Sequence, residues 1–261
     1  MHQRPHVLIL SGLDPSGGAG IQADIQAVTA LGCHPLPVIS CLTVQDTCNV
    51  HGAEAIDPAL VRQQLECLAK DVPIHAVKTG ALGSAAIVDV LVDFMRDRTG
   101  IPLVVDPVIK AAGGGDLADD ELIQAMTARL FQLADVITPN GIELAQLGED
   151  DDTEAAARRL LDAGCPAVLA TGGHGTGPQI INRLFRAGTD TKEWHIDRLG
   201  GEYHGSGCTL AAGIAAGRAK GLPLEGAIER SQYLVARAID QALTVGKGQP
   251  VPDRSVAVVS S

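Results

Sequence analysis

Aromatic residues are nearly absent from this 261-residue sequence: one Trp, two Tyr and three Phe make up 2% of it, although 46% of its residues are hydrophobic. The core must therefore be built from Val, Ile, Leu and Ala. That composition suits parallel strands covered by helices better than a β-sandwich, which usually carries more aromatic residues. The length lies within the range of one large α/β unit, so we expect a single domain over residues 1–261.

Basic residues are also scarce, with 20 Lys and Arg against 31 Asp and Glu and a formal net charge of −11. This balance argues against binding to a nucleic-acid backbone, which requires clustered Lys and Arg. The apolar run near the N-terminus covers only residues 7–10, which is too short for a signal peptide or a membrane span. We therefore expect a cytoplasmic protein without a nucleic-acid or membrane partner.

The six cysteines form no CxxC pair and no metal-finger spacing, and five of them are interpreted as small core residues. The sixth, Cys208, follows Gly205, Ser206 and Gly207 in the segment "EYHGSGCTLAAGIAAG". The glycines free successive N–H groups, and the helix expected to begin near Cys208 aims its positive end at the same point, which predicts an anion hole. The same helix end should lower the pKa of the Cys208 thiol toward neutrality.

Apolar runs rich in β-branched residues alternate with helical patterns, which predicts a mostly parallel sheet between two layers of helices. The predicted strands cover residues 6–11, 36–42, 76–82, 102–109, 135–138 and 167–171. The predicted helices cover residues 18–31, 58–70, 84–97, 119–133, 153–163 and 223–244. Residues 179–185 and 193–199 flank a polar turn and predict a β-hairpin at an edge of the sheet.

Four strand ends carry unusual polar or glycine-rich residues, and in an open parallel sheet such ends should converge on one cleft. The first, "SGLDPSGGAGIQAD", resembles a nucleotide-binding turn but lacks the Lys of a Walker motif, and an ordinary strand-to-helix turn is the alternative. The second carries Gln45, whose amide offers a donor and an acceptor to a heteroaromatic ring edge. A solvated loop glutamine is the alternative there.

The third and fourth strand ends carry carboxylates. Asp106, in "VVDPVI", could hold Mg²⁺ directly or through water, or could be a capping residue before a glycine-rich turn. The fourth segment, "ITPNGIEL", clusters Thr138, Asn140 and Glu143. Asn140 and Glu143 are spaced to face a metal-bound phosphate together, although the same spacing also fits a helix capping box.

Seven segments taken together resemble the hydroxymethylpyrimidine/phosphomethylpyrimidine kinases of thiamine biosynthesis, in the ribokinase-like superfamily. In chain order they are "GLDPSGGAGIQADIQAVTALGCH", "ISCLTVQDT", "VKTGALGS", "VVDPVI", "ITPNGIEL", "TGGHG" and "HGSGCTLAAGIAA". The resemblance implies a ribokinase-like three-layer α/β/α sandwich. It also implies an ATP- and Mg²⁺-dependent kinase that phosphorylates 4-amino-5-hydroxymethyl-2-methylpyrimidine and then its monophosphate.

The resemblance further implies roles for individual residues. The positions that match pyrimidine-binding residues or line the ring are Gly12, Asp24, Gln45 and Ala81. Those that match or lie beside ATP and phosphate positions are Thr138, Asn140, Thr171, Gly173 and Lys110, and those that match metal positions are Asp106 and Glu143. The anion hole is formed by Gly205, Ser206 and Gly207, with Cys208 where most ribokinase relatives carry a catalytic Asp.

Three departures from the family pattern bear on ATP affinity and ring selectivity. Thr171 stands where a Lys commonly precedes the glycines, so one phosphate-neutralising charge is missing. Ala81 stands where a Met often covers the pyrimidine, which leaves a wider pocket. The family's "KSGD" becomes "AGGGD", with Lys110 nearby as a substitute.

Other functions stay open from the sequence. A pyridoxal- or pyridoxine-type kinase of the same superfamily would use the same chemistry on another hydroxymethylated ring. A cysteine hydrolase with Cys208 as nucleophile would need a His base, and His204 is the neighbour in sequence. Both His204 and His174 are interpreted as exposed loop residues. A ligand-binding protein with a lost active site is a third possibility, and the edge hairpin would suit a homodimer.

Overall fold

The computed structural model describes residues 3–110, 115, 117–173, 175 and 177–256. Its centre is one sheet of nine strands in the order β3-β2-β1-β4-β5-β6-β7-β8-β9. The strands are β1 (His6–Leu13), β2 (His34–Gln45), β3 (Val50–Ala55), β4 (Ala76–Thr79), β5 (Leu103–Val105), β6 (Val136–Ile137), β7 (Ala167–Ala170), β8 (Gln179–Arg186) and β9 (Lys192–Asp197). Six neighbouring strands are parallel, while β3, β8 and β9 are antiparallel to their neighbours.

Eight α-helices cover the two faces of the sheet in the described part of the chain. They are α1 (Gly20–Ala30), α2 (Pro58–Asp71), α3 (Ala85–Arg96), α4 (Asp120–Ala125), α5 (Gly141–Gly148), α6 (Thr153–Asp162), α7 (Ser206–Ala219) and α8 (Leu224–Asp240). One π-helical turn (Met126–Leu130) and one 3₁₀ turn (Phe131–Leu133) follow α4. Within these described residues, no helix is long and apolar enough to cross a membrane.

Two aliphatic cores hold the layers together. Alternate side chains of β1 point to opposite faces, so Val7 and Ile9 pack with α1, α7 and α8, while Leu8 and Leu10 pack with α2 to α6. The central strands β4 and β5 are buried on both faces, which is why they appear in the sequence as continuous apolar runs. The predicted three-layer ribokinase-like fold with an edge hairpin, formed by β8 and β9, is confirmed.

Three local features differ from the sequence prediction. Strand β3 was not predicted, because its sequence "VHGAEA" is polar and it lies at an exposed edge. Helix α5 was not predicted, although its capping box was. The helix predicted over 119–133 changes from α to π and 3₁₀ geometry after Ala125. The carboxyl ends of β1, β2, β4, β5, β6 and β7 nevertheless meet at one edge of the sheet, beside the start of α7.

Candidate active site

A glycine turn opens helix α7 at the centre of this edge, and we call Gly205–Gly207 the inner turn. Gly205 is the N-cap residue of α7, with φ of 80°, and α7 itself begins at Ser206, two residues before Cys208. A Cβ on Gly205 would lie 2.1 Å from the carbonyl oxygen of Gly18, so only glycine fits there. The first turn of a helix has N–H groups without intrahelical partners, which is what an anion hole requires.

A buried ion cluster lies under the inner turn. Lys78, at the end of β4 and fully buried, contacts both carboxylate oxygens of Asp24 at 2.7 and 2.8 Å. Its Nζ also lies 3.7 Å from Oδ2 of Asp106. Burial alone would lower the pKa of Lys78, but the charges of Asp24 and Asp106 raise it, so the ammonium group keeps its proton.

The thiol of Cys208 lies in this cluster. The prediction that the helix end lowers the pKa of this thiol is wrong. Burial raises the pKa of Cys208, and the charges of Asp106 and Asp24 raise it further, against the attraction of Lys78. The residue is only partly covered from solvent, but its thiol is set among these groups. The effect of the helix end is therefore outweighed, and Cys208 is a neutral thiol at neutral pH rather than a thiolate.

Several buried polar atoms at the strand ends around the cluster have no hydrogen-bond partner among the described residues. They are Ser11 Oγ, Thr79 Oγ1, Asp106 Oδ2 and Thr138 Oγ1. Burial raises the pKa of Asp106, against attraction from Lys78 and contact with the Cys208 thiol. A carboxylate oxygen that accepts no hydrogen bond and lies 3.7 Å from Lys78 Nζ fits Mg²⁺, which takes few protein carboxylates and relies on substrate phosphates for the rest.

Asn140 and Glu143 form the capping box of α5. The Asn140 side chain accepts from Ile142 N and Glu143 N, and Oε2 of Glu143 accepts from Asn140 N at 2.9 Å. Burial and the charge of Asp106 raise the pKa of Glu143 to about 8. Both residues therefore lie at the cleft, and both stabilise the start of α5 as its capping box.

The residues predicted to bind the pyrimidine ring are buried to different extents beneath the cleft. A Cβ on Gly12 would lie 2.7 Å from Sγ of Cys41 and 3.4 Å from Cβ of Ala81, so Gly12 and Ala81 are packed against each other. Gln45, at the end of β2, is half-buried and borders the cleft. Asp24 is fully buried and both its oxygens are held by Lys78, so it reaches the cleft only through that lysine.

His204 is a buried residue, and its interpretation as an exposed loop histidine is wrong. Its Nε2 lies 2.8 Å from Oδ2 of Asp14 and 3.1 Å from the side-chain amide of Gln45. Asp14 also accepts hydrogen bonds from Ser16 N and Ala19 N, each at 2.8 Å. Although burial opposes it, the hydrogen bond from His204 and the others lower the pKa of Asp14 to about 2. The His ring therefore faces a carboxylate.

A second glycine turn follows β7, and we call its described residues, Thr171–Gly173 with Gly175 and Gly177, the outer turn. Thr171 N donates to Pro139 O at 2.9 Å, which ties the turn to the end of β6. Arg198 donates from Nε to Gly177 O and from Nη1 to Gly173 O, at 2.9 and 2.8 Å. The exposed Lys110 follows Ile109 on the α5 side of the cleft. His174 and most of the segment 111–116 lie outside the described residues.

Comparison with known proteins identifies the family and the fold. A sequence model for phosphomethylpyrimidine kinase matches residues 14–252. The chain belongs to the phosphomethylpyrimidine kinase family. A hydroxymethylpyrimidine/phosphomethylpyrimidine kinase of Synechococcus elongatus is 36% identical over 251 residues, which cover 94% of this chain and 95% of that protein. A bifunctional thiamine biosynthesis protein of Geobacter sulfurreducens is 37% identical over 250 residues, but the match spans about half its length, 51%.

Solved structures of related kinases share the whole fold. The pyridoxal kinase of Bacillus subtilis, solved as an ADP complex, gives a TM-score of 0.89 at 26% identity, covering 97% of this chain and 98% of that one. The phosphomethylpyrimidine kinase of Clostridium difficile gives a TM-score of 0.77 at 30% identity, covering 91% and 100%. The predicted family, fold and kinase class are confirmed.

Four residues of the site were not predicted to act in it: Lys78, Asp14, His204 and Arg198. Lys78 carried a usable signal, since a charged residue inside a four-residue buried strand needs a partner. The other three carried none, because the contacts that bring them to the site join positions 21 to 190 apart, and the local contacts of Asp14 also fit an ordinary turn. Their roles depend on which loops meet at the end of the sheet.

Proposed function

We propose that the protein phosphorylates 4-amino-5-hydroxymethyl-2-methylpyrimidine and its monophosphate with ATP, as a kinase of thiamine biosynthesis. The observation that carries this proposal is the meeting of the inner turn with the Lys78 cluster at the carboxyl edge of the sheet. A helix start with free N–H groups and a fixed ammonium charge stabilise the charge of a transferring phosphoryl group. Family membership supports the choice of substrate.

In this proposal the inner turn binds the transferring group and Cys208 faces the attacking hydroxymethyl oxygen. Since the thiol keeps its proton at neutral pH, it contributes as an S–H donor to the reacting groups. The hydroxyl proton passes to an oxygen of the transferring phosphoryl group late in the reaction, as the new P–O bond forms. Phosphoryl transfer depends mostly on positioning and electrostatics, so a weak acceptor suffices.

Gln45 recognises the ring edge, and its neighbours determine which way its amide points. The Thr43 hydroxyl donates its single proton to Leu13 O at 2.8 Å, so it can only accept from the amide 3.2 Å away. The ionised Asp14 requires a proton on Nε2 of His204, so that nitrogen has no lone pair to accept from the amide and should face its oxygen. As placed, the amide oxygen faces Thr43 and the NH₂ faces His204, so we exchange the two and assign the NH₂ to Thr43 and the oxygen to His204.

This orientation leaves one N–H and one lone pair of Gln45 for the substrate. An aminopyrimidine edge offers a ring nitrogen that accepts and an amino group that donates, which matches that pair. His204 and Asp14 act as positioning residues for Gln45. Asp24 acts on the same side by holding Lys78, without contact with the ring.

ATP would lie between the inner and outer turns, with Thr138, Asn140, Thr171, Gly173 and Lys110 along its phosphates. Mg²⁺ fits Oδ2 of Asp106, which accepts no hydrogen bond among the described residues, with Glu143 and Thr138 beside it. The ion would neutralise phosphate charge during transfer. Removing divalent ions with a chelator should abolish turnover, and adding back Mg²⁺ should restore it.

The test is a coupled ATP-consumption assay with the hydroxymethylpyrimidine and its monophosphate supplied separately. Both should be phosphorylated, and Cys208→Ala should lower turnover by ~10²-fold, at the low end of the range for losing one hydrogen-bond donor to the transferring group. No ATP consumption with either pyrimidine would contradict the function. Near-normal turnover of Cys208→Ala would reduce the thiol to a packing residue.

A pyridoxal kinase is the second candidate, because the fold is more similar to the Bacillus subtilis pyridoxal kinase by TM-score, 0.89 against 0.77. The small Ala81 also leaves room for a larger ring. Turnover of pyridoxal and of the pyrimidine should be compared side by side. A higher kcat/KM for pyridoxal than for the pyrimidine would make pyridoxal kinase the favoured function.

The cysteine hydrolase alternative has no support in the site. His204 is bound to Asp14 and Gln45, and the pKa of Cys208 is raised, whereas a nucleophilic thiol needs a base and a low pKa. A homodimer stays a prediction, and light scattering would test it. Cytoplasmic location and a single domain over residues 1–261 stay predictions as well.

A further inference from the structure

Arg254 lies in the segment that follows α8, residues 243–256, which we call the C-terminal strap. The strap crosses the active-site edge: Leu243 and Val251 pair with each other, and Pro250 O accepts from His204 N at 3.0 Å. Gly248 N donates to Oγ1 of Thr47 at 3.1 Å. The strap therefore runs beside the loop that leads into the inner turn.

The Arg254 guanidinium bridges three parts of the site. Its Nη2 donates to Gly18 O at 2.6 Å and to Gly205 O at 3.3 Å, which joins the first glycine loop to the inner turn. Its Nε donates to Oγ1 of Thr209 at 2.7 Å, and Thr209 in turn donates to Gly205 O. Nη1 donates to Oε1 of Gln26 at 3.2 Å. One planar cation thus fixes the N-cap residue of α7.

All of these acceptors are neutral, although Arg254 is only 2% exposed. Among the described residues no carboxylate lies within 4 Å of its guanidinium, whereas Arg218 at the other end of α7 pairs with Asp135 at 2.7 Å. A buried charge without an ion pair is costly, and such charges are normally paired. Burial lowers the pKa of Arg254, against the attraction of more distant carboxylates on Asp24, Asp14 and Asp253. Among the described residues the guanidinium therefore has no direct ion pair, although carboxylates lie in its surroundings.

We propose that Arg254 is a positioning residue that fixes the inner turn and adds a permanent positive charge behind it, toward the transferring phosphoryl group. The inference rests on the proposed kinase function. Arg254 would supply part of the charge that is missing at Thr171. The residue lies just beyond the segment that matches the family model, which ends at residue 252.

The experiment compares Arg254→Met, Arg254→Lys and Arg218→Met in the full chain. Arg254→Met should lower kcat by about 10- to 100-fold, the loss expected for hydrogen bonds to a charged group. The KM for the pyrimidine should stay within about twofold, since the ring site is separate. Arg254→Lys keeps the positive charge but loses the planar guanidinium that donates to several acceptors at once. It should therefore recover at least a third of the lost kcat on a logarithmic scale.

Arg218→Met is the matched control, because Arg218 is a hydrogen-bonded arginine of α7, the helix that Arg254 contacts, and lies about 20 Å along that helix from Gly205. It should lower Tm and leave kcat unchanged. Equal kcat losses in the Lys and Met variants, or a normal kcat in Arg254→Met, would overturn the proposal. If Arg254→Met is insoluble, Arg254→Gln against Arg254→Lys gives the same comparison. An inactive wild-type protein would instead count against the kinase function itself.

Discussion

The inner and outer turns are both glycine-rich, and an arginine holds the carbonyl groups of each, but the two arginines differ in burial. Arg254 at the inner turn is 2% exposed and bonds to neutral groups behind the turn. Arg198 at the outer turn is only partly buried and bonds to the carbonyls of Gly173 and Gly177. A fully buried charge is screened little by solvent, whereas a partly exposed one is screened more strongly.

The difference indicates a division of work along the cleft. The inner turn is fixed by helix α7, by Arg254 and by the Lys78 cluster below it, so its dipoles are already oriented before a substrate arrives. The outer turn is tied at its start by Thr171 and by Gly172 N, which donates to Asn182 at 3.0 Å. Substitutions at the inner turn should therefore affect turnover, and those at the outer turn should affect nucleotide affinity.

The largest expected effect comes from breaking the buried cluster with Lys78→Met. Without the ammonium group, Asp24 and Asp106 lie buried near each other and uncompensated, so the free energy of unfolding should fall by about 3–5 kcal/mol. Turnover should fall by ~10³-fold, because positioning and charge are both lost. Urea unfolding and steady-state assays measure the two effects.

The double variant Lys78→Met/Asp24→Asn is the control for that prediction. It removes one of the stranded charges, so part of the stability should return while turnover stays low. The Kd for ADP should change by no more than about threefold in either variant, since the outer turn is intact. A Lys78→Met protein as stable as the wild type would show that the cluster does not hold the inner side together.

An intermediate effect is expected from Asp14→Asn, which should change the pH dependence of the free energy of unfolding. The pKa of Asp14 is lowered to about 2 in the folded protein, from 3.8. A lowered pKa adds stability above the unfolded value and loses it as the pH falls through the folded value. The wild type should thus be more stable than Asp14→Asn by roughly 2 kcal/mol at pH 7. Urea unfolding should show this advantage shrinking between pH 4 and 2.

Asp46→Asn is the matched control for Asp14→Asn. Hydrogen bonds from His51 and two backbone groups lower the pKa of Asp46 to about 2 as well, but this carboxylate is exposed. Solvent screening should leave only a small change in stability. Equal losses in the two variants would mean that the buried contact with His204 adds nothing beyond an ordinary surface turn.

The smallest expected effect comes from Thr171→Lys, which adds the charge that the family resemblance implies at the outer turn. An exposed ion pair contributes about 0.2–1 kcal/mol, so the KM for ATP should fall about two- to fivefold with kcat unchanged. Thr189→Lys adds the same charge at the exposed turn between β8 and β9 and should leave KM unchanged. A change in kcat with Thr171→Lys would contradict the division between the turns.

The layers of the fold were predictable because they depend on local patterns. The apolar run 102–109 and the alternating edge hairpin are both bounded by turn residues; the structure contains the hairpin and a shorter strand, Leu103–Val105, within the run. Strand β3 was missed because edge strands need few apolar residues, so "VHGAEA" lacks a strand pattern. The π turn at Met126–Leu130 depends on packing against α3, which no local pattern shows.

The site was predictable only in part. Asp106, Asn140 and Cys208 stand at strand and helix ends, where both local sequence and the family resemblance draw attention to them. The depth of each residue was not predictable, so Asp24 was assigned to the ring although it is bound to Lys78. The pKa of Cys208 was assigned from the helix end alone, without the carboxylates that surround it.

The sequence by itself determined which polar groups stand at the ends of strands and which family they belong to, because motifs and alternation are properties of neighbouring residues. The tertiary structure alone decided which of those groups keep their charge. Lys78 meets Asp24 across 54 positions, and Arg254 meets Gly18 across 236. Burial and long-range contacts determine the pKa of each group and the electric field in the site. The spacing of nearby residues encodes neither burial nor these contacts.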